Sequence, residues 1–187
     1  MSNALIPEPP RTPCRIASRP SPSSKPPPCQ DSRRPSAWCP TSSPPSPAAY
    51  GGYFAFTDAL GKGTLTGREI ELINLYTSEL NGCGYCVSAH GTLAKRFELS
   101  EAELTAARHG RGRDEREDAM LALVQRVTRT GGGNTGAELE RAKKAGLSDA
   151  AVIEVLAHVA SKLFTNAVAQ VAQTTIDFPQ QPNLPRP

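Results

Sequence analysis

Two cysteines three residues apart, with a histidine four residues after the second, stand in the stretch Cys83-Gly84-Tyr85-Cys86-Val87-Ser88-Ala89-His90. Positions i, i+3 and i+7 share one face of an α-helix, so a helix here would bring both thiols and the imidazole together. The chemistry that follows is that of a dithiol: two sulfurs close enough to bond to each other, with a proton acceptor one turn away. Asn81-Gly82 just ahead reads as a break in the chain, which puts the cysteines at a helix start. Unpaired N–H groups and the positive end of the helix dipole favour a thiolate there and lower thiol pKa values. His90 is expected to take the thiol proton, directly or through one water.

A second set of polar residues lies upstream. Glu71, Asn74 and Ser78 fall at i, i+3 and i+7 of a mostly apolar helical segment, and a carboxylate buried in such a helix needs a partner. Orienting His90 or relaying its proton would supply one. Zinc is the competing use of a CxxC. Cys83, Cys86 and a distant His make three ligands, whereas structural sites usually take four, as two pairs. No second CxxC and no HxxxH occurs in residues 48–179, so no metal is expected, and no organic cofactor is needed beside a dithiol. His109 precedes Gly110 at a helix end, where a cation complements the dipole. His158, in an apolar helix, reads as a hydrogen-bonded core residue. Tyr50, Tyr53, Phe54 and Phe56 read as core or as a subunit contact.

The elements that must position these residues are helical throughout. Residues 48–60 end at Gly61 and Gly63. Thr66 with Glu69 forms a capping box that opens a helix running to Leu80, and a helix of about 15 residues is expected from Cys83 to Phe97. Ser100 with Glu103 opens a short helix ending at Gly110. Asp114 with Glu117 precedes a helix that stops at Gly131-Gly132-Gly133, and Thr135 with Glu138 opens one closed by Gly146. Ser148 caps a long helix in which Val152, Ile153, Val155, Leu156, Val159, Leu163 and Phe164 recur with a near-3.6 period. No stretch alternates with period two, so the expected class is all-α.

Composition sets the limits of the domain. Fourteen of the 18 prolines lie in residues 1–47, among serines and arginines. A segment so poor in large apolar side chains cannot offset its ordering entropy, so 1–47 is expected to be disordered. The domain is placed at 48–179, followed by a tail at 180–187. Residues 1–49 carry a net charge of +4 and the remainder −1, which assigns the chain's overall +3 to the tail. The domain therefore offers no nucleic-acid surface. No signal-peptide core and no 18-residue apolar run is read anywhere in the chain, so a cytoplasmic protein without membrane contact is expected. Cys14, Cys29 and Cys39 show no recognisable spacing. In a reducing compartment a CxxC is redox-active or metal-binding more often than structural.

The spacing from Glu71 through eleven residues to Cys83, two to Cys86 and three to His90 resembles the core motif of the alkylhydroperoxidase D-like proteins, within the carboxymuconolactone decarboxylase superfamily. Asn81-Gly82 before the cysteines and the closing Phe164-Thr165-Asn166 to Thr175-Ile176-Asp177-Phe178-Pro179 look like an uncharacterised peroxidase-related branch. The resemblance implies an all-helical fold, a homo-oligomer and a thiol peroxidase. Cys86 would attack the peroxide, Cys83 would close a Cys83–Cys86 disulfide, and an external dithiol or protein would reduce it. His90 and Glu71 would form the proton relay. This chain departs from the pattern at Tyr85, where well-understood members have a relay histidine, and at Gln170, near which relatives often carry another. It also has low complexity where relatives have an ordered helix, for which a shifted reading frame or misassigned start over 1–46 would account. The alternatives are a disulfide-exchange partner or redox sensor with little turnover, and a lactone decarboxylase-like enzyme, which would not depend on a CxxC.

Overall fold

A computed structural model describes residues 46–184. Of the disorder expected over 1–47, residues 1–45, with Cys14, Cys29 and Cys39, lie outside the described residues, whereas Ser46 and Pro47 are ordered at the start of a helix. Among those described there are seven α-helices and no strand: α1 (Pro47–Leu60), α2 (Gly67–Leu80), α3 (Gly84–Leu93), α4 (Glu101–Arg108), α5 (Glu115–Thr130), α6 (Gly136–Lys144) and α7 (Asp149–Val171). A 3₁₀ turn, Ala94–Phe97, extends α3. The all-α expectation holds. Ser46 caps α1 and Pro47 fills its first turn, where a missing N–H costs nothing, so the helix starts one residue before the expected domain edge.

The capping signatures act at most of the expected starts. Thr66 and Glu69 bond reciprocally at α2, and Ser100 and Glu103 do so at α4. Asp114 and Ser148 accept from the backbone N–H groups of Glu117 and Ala151. Thr135 is the exception. Its side chain makes no cap bond, its hydroxyl instead donating to the Gly132 carbonyl, and Glu138 is drawn away to Arg126.

α2 is the central element, packed against α3, α4, α5 and α7. Leu72, Ile73 and Leu75 from α2, Met120, Leu121 and Val124 from α5, and Val155 and Val159 from α7 are buried together in one core. Between α4 and α5, Gly110 sits at φ +73°, where a Cβ would come within 2.5 Å of the Tyr76 hydroxyl. Only glycine meets both the backbone and the space requirement there. α1 contributes no buried residue. Phe54 and Phe56 are exposed, and Tyr50 and Tyr53 lean on Phe164 of α7. The aromatic cluster is therefore not core.

Against the expectation of no long apolar run, α7 alone among the described helices has the length and composition to cross a bilayer, with mean hydropathy 1.3. Its packing against α1, α2, α5 and α6 accounts for that apolarity in a core helix. The C-terminal stretch beyond it folds back over α3. Phe178 meets Tyr85 edge-on at 5.6 Å, and the Pro182 carbonyl accepts from Arg108, itself buried and paired with Glu79.

Candidate active site

α2 ends at Leu80 with Asn81 as its C-cap, Gly82 turns the chain at φ +65°, and Cys83 becomes the N-cap of α3. The helix thus starts one residue later than expected and turns 3₁₀ at Ala94, short of Phe97. The Cys86 N–H donates to the Cys83 sulfur at 3.4 Å, and the two thiols, both free and both buried, stand 2.8 Å apart. Cys83 is 1% exposed and Cys86 6%. Ala169 of α7 and Tyr85 pack around them.

The two sulfurs share their protons unequally. A hydrogen bond from the Cys86 thiol, opposed by burial, and then the Cys86 backbone N–H, the Lys162 charge and Asn166 bring Cys83 down to about 7. That same hydrogen bond, together with burial and the Cys83 charge, pushes Cys86 up. The thiolate of the reduced pair is therefore centred on Cys83, the sulfur that caps the helix.

His90 lies one turn beyond Cys86 and is engaged at both ring nitrogens. Its Nδ1 meets Glu71 Oε2 at 2.8 Å and its Nε2 meets Lys162 Nζ at 2.7 Å. Burial and the Lys162 charge lower the His90 pKa against the pull of Glu71. The neutral ring donates from Nδ1 to the carboxylate and accepts at Nε2 from the lysine. Glu71 would be raised by burial, but the hydrogen bond from His90, the charges of His90 and Lys162, and Asn74 hold it below the usual carboxylate range. Burial lowers Lys162, opposed by Cys86, Glu71 and Cys83.

The rest of the polar stripe forms the floor. Ser78 donates to the Asn74 carbonyl and accepts from the Asn166 side chain, whose oxygen accepts from Asn81. Gln170 donates to the Asn166 carbonyl one turn on. Tyr53 reaches the site from α1 through Ser161. Among the described residues, no three His, Cys, Asp or Glu side chains come together as a metal site needs.

Glu71, Cys83, Cys86 and His90 are thus gathered by α2 and α3. Of the remaining histidines, His109 ends α4 as read, while His158 is buried with its Nε2 unpartnered, contrary to the hydrogen-bonded core residue expected. The sequence pattern alone does not mark Lys162 or Asn166 as site residues. Glu154, His158 and Lys162, each four residues apart on an otherwise apolar helix, were the available signal.

The carboxymuconolactone decarboxylase family model matches residues 47–128, which contain Glu71, both cysteines and His90. The chain carries a domain of that family. Solved structures extend the likeness to the whole helical domain. An Agrobacterium tumefaciens protein of unknown function, assigned to AhpD-type antioxidant defence, is 25% identical with a TM-score of 0.65, over 73% of this chain and 94% of that one. An uncharacterised peroxidase-related protein from Ralstonia eutropha with an alkylhydroperoxidase AhpD core is 26% identical with a TM-score of 0.64, over 70% and 72%. The debrominase Bmp8, in a Cys-to-Ala variant bound to 2,3,4-tribromopyrrole, is 23% identical with a TM-score of 0.60, over 72% of each chain, a likeness of fold. No curated protein matches the chain. The domain has the alkylhydroperoxidase D-like fold.

Proposed function

We propose that the protein is a thiol-dependent peroxidase that reduces hydroperoxides through Cys86 and Cys83. The observation that carries the reading is the pair of free thiols 2.8 Å apart at the start of α3, beside the Glu71–His90 contact. Cys86 is the attacking residue because it is the more exposed of the two cysteines, whose thiols share a proton. Passing that proton to Cys83 leaves the Cys86 thiolate free to react, and its higher pKa makes it the stronger nucleophile. Its sulfur attacks the terminal peroxide oxygen, the O–O bond breaks, and the alkoxide leaves with the electron pair and takes up a proton as the alcohol. Cys86 is then a sulfenic acid. The Cys83 sulfur attacks the Cys86 sulfur, the S–O bond breaks, and hydroxide leaves as water once protonated. An external dithiol or protein reductant reopens the disulfide by two exchange steps. Glu71 and His90 hold in place the groups that move these protons.

A cytosolic location suits a cycle that needs continual reduction. Exposed Phe54 and Phe56 on α1 support association of the chain with itself.

The test is a titration of the reduced protein with one equivalent of an organic hydroperoxide, followed by peptide mass mapping. Wild type should lose two hydrogens as a Cys83–Cys86 disulfide, and Cys83→Ser should trap a sulfenic acid at Cys86. A sulfenic acid on Cys83 in Cys86→Ser, with none in Cys83→Ser, would reverse the roles. Disulfide formation without continued turnover would favour the exchange or sensor reading.

A further inference from the structure

We propose that Lys162 supplies the positive charge against which the cysteine thiolate forms, and that His90, bound at one nitrogen by Glu71 and at the other by Lys162, positions that ammonium instead of accepting the thiol proton itself. The inference deepens the peroxidase reading and rests on it for its catalytic meaning.

The geometry leaves His90 little choice. With Nδ1 at 2.8 Å from a carboxylate and Nε2 at 2.7 Å from the lysine, the neutral ring has no lone pair left for a thiol. The group at the other end of this chain is Lys162. It projects from α7 into the floor of the site, is 6% exposed, and is the cation whose charge bears on both Cys83 and Cys86. A lysine this deeply buried is costly unless opposite charges compensate it. Two are at hand: Glu71, reached through the imidazole, and the thiolate.

The titratable groups that bear on Lys162 come from α2, α3 and α7. They are Glu71 from α2, Cys83 at the cap of α3, Cys86 and His90 from α3, and His158 one turn earlier on α7 itself, while Tyr53 of α1 bears on Cys86. Glu71 and Lys162 balance each other, so the buried cluster is neutral until a thiol ionises. The ammonium then has a second anion to hold. During the peroxidase cycle it can donate a proton to the departing alkoxide and recover one from the Cys83 thiol before the disulfide closes, so the proton count returns to its start.

Lys162 could instead be a purely structural counter-ion for Glu71, and the thiols separate the two cases. In the reduced, full-length protein with no peroxide present, the pH dependence of iodoacetamide alkylation reads thiolate directly. Lys162→Met should shift the titration upward by about one pH unit and slow alkylation at neutral pH about tenfold. Lys162→Arg, which keeps the charge, should recover most of the loss. His90→Gln can donate to Glu71 and accept from Lys162 but holds no titrating proton, and it should stay within about twofold of wild type. An unchanged titration in Lys162→Met, or a loss in His90→Gln as large as that in Lys162→Met, overturns the assignment. Should Lys162→Met fail to unfold cooperatively, the other two variants decide: acidic thiols in both support the inference, and their loss in His90→Gln overturns it. Because no peroxide is added, acidic thiols in a protein that does not reduce peroxide would overturn only the peroxidase reading.

Discussion

Replacing Glu71 with glutamine removes a charge while keeping a hydrogen bond, because the amide oxygen can still accept from His90 Nδ1. What is lost is the counter-charge to Lys162. The two charges are separated by contacts of 2.8 and 2.7 Å and the width of the ring between them. At roughly 7 Å and an effective dielectric of about 20, their attraction is about 2 kcal/mol. Urea unfolding of the reduced protein at neutral pH should therefore show Glu71→Gln less stable by about 2 kcal/mol, with an unchanged slope. The pH dependence carries the sign. Without Glu71, the folded-state pKa of Lys162 falls further below its unfolded value. The deficit is full between the depressed Glu71 pKa and the lowered Lys162 pKa of the variant, and it fades as pH rises through the wild-type folded Lys162 pKa, itself below the unfolded value of about 10.4. Equal stability at neutral pH, or a deficit that stays constant as pH rises, would show that the lysine is not held by this carboxylate and would refute the reasoning.

Two further perturbations test the fold that positions the site. Gly110→Ala places a Cβ 2.5 Å from the Tyr76 hydroxyl at φ +73°, whereas Gly131→Ala, at φ +65°, meets nothing within 4 Å. Both pay the left-handed cost of about 1–2 kcal/mol, and Gly110→Ala should be the worse of the two by thermal melting. Ser148→Ala removes a working N-cap from α7 and should cost about 1 kcal/mol in urea unfolding, while Thr135→Ala should be close to neutral, because that side chain caps nothing.

The sequence made most of the helical domain legible because its signals are local. Capping pairs at Thr66, Ser100 and Asp114 act over three residues and correspond to observed helix starts. Thr135 carries the same signature, but Glu138 finds Arg126, and a tertiary ion pair replaces the reciprocal box. Glu71, Cys83, Cys86 and His90 could be read because two consecutive helices hold them at short spacing. Lys162 could not be read in the same way. It is 72 residues from His90, and only the packing of α7 on α2 and α3 brings its ammonium to the imidazole. Most of α7 is apolar, so a stripe of Glu154, His158, Lys162 and Asn166 passes for the polar edge of a core helix. The division of acidity between the sulfurs was equally hidden. Spacing places both cysteines at a helix start, and the conformation of the cap makes Cys83 the acceptor.

The central claim is tested most directly by steady-state consumption of an organic hydroperoxide with a dithiol reductant, comparing wild type with Cys86→Ser and Cys83→Ser. The account predicts continuous turnover by wild type, none by Cys86→Ser, and a single stoichiometric reaction by Cys83→Ser. Wild-type consumption no faster than that of the two serine variants would contradict it.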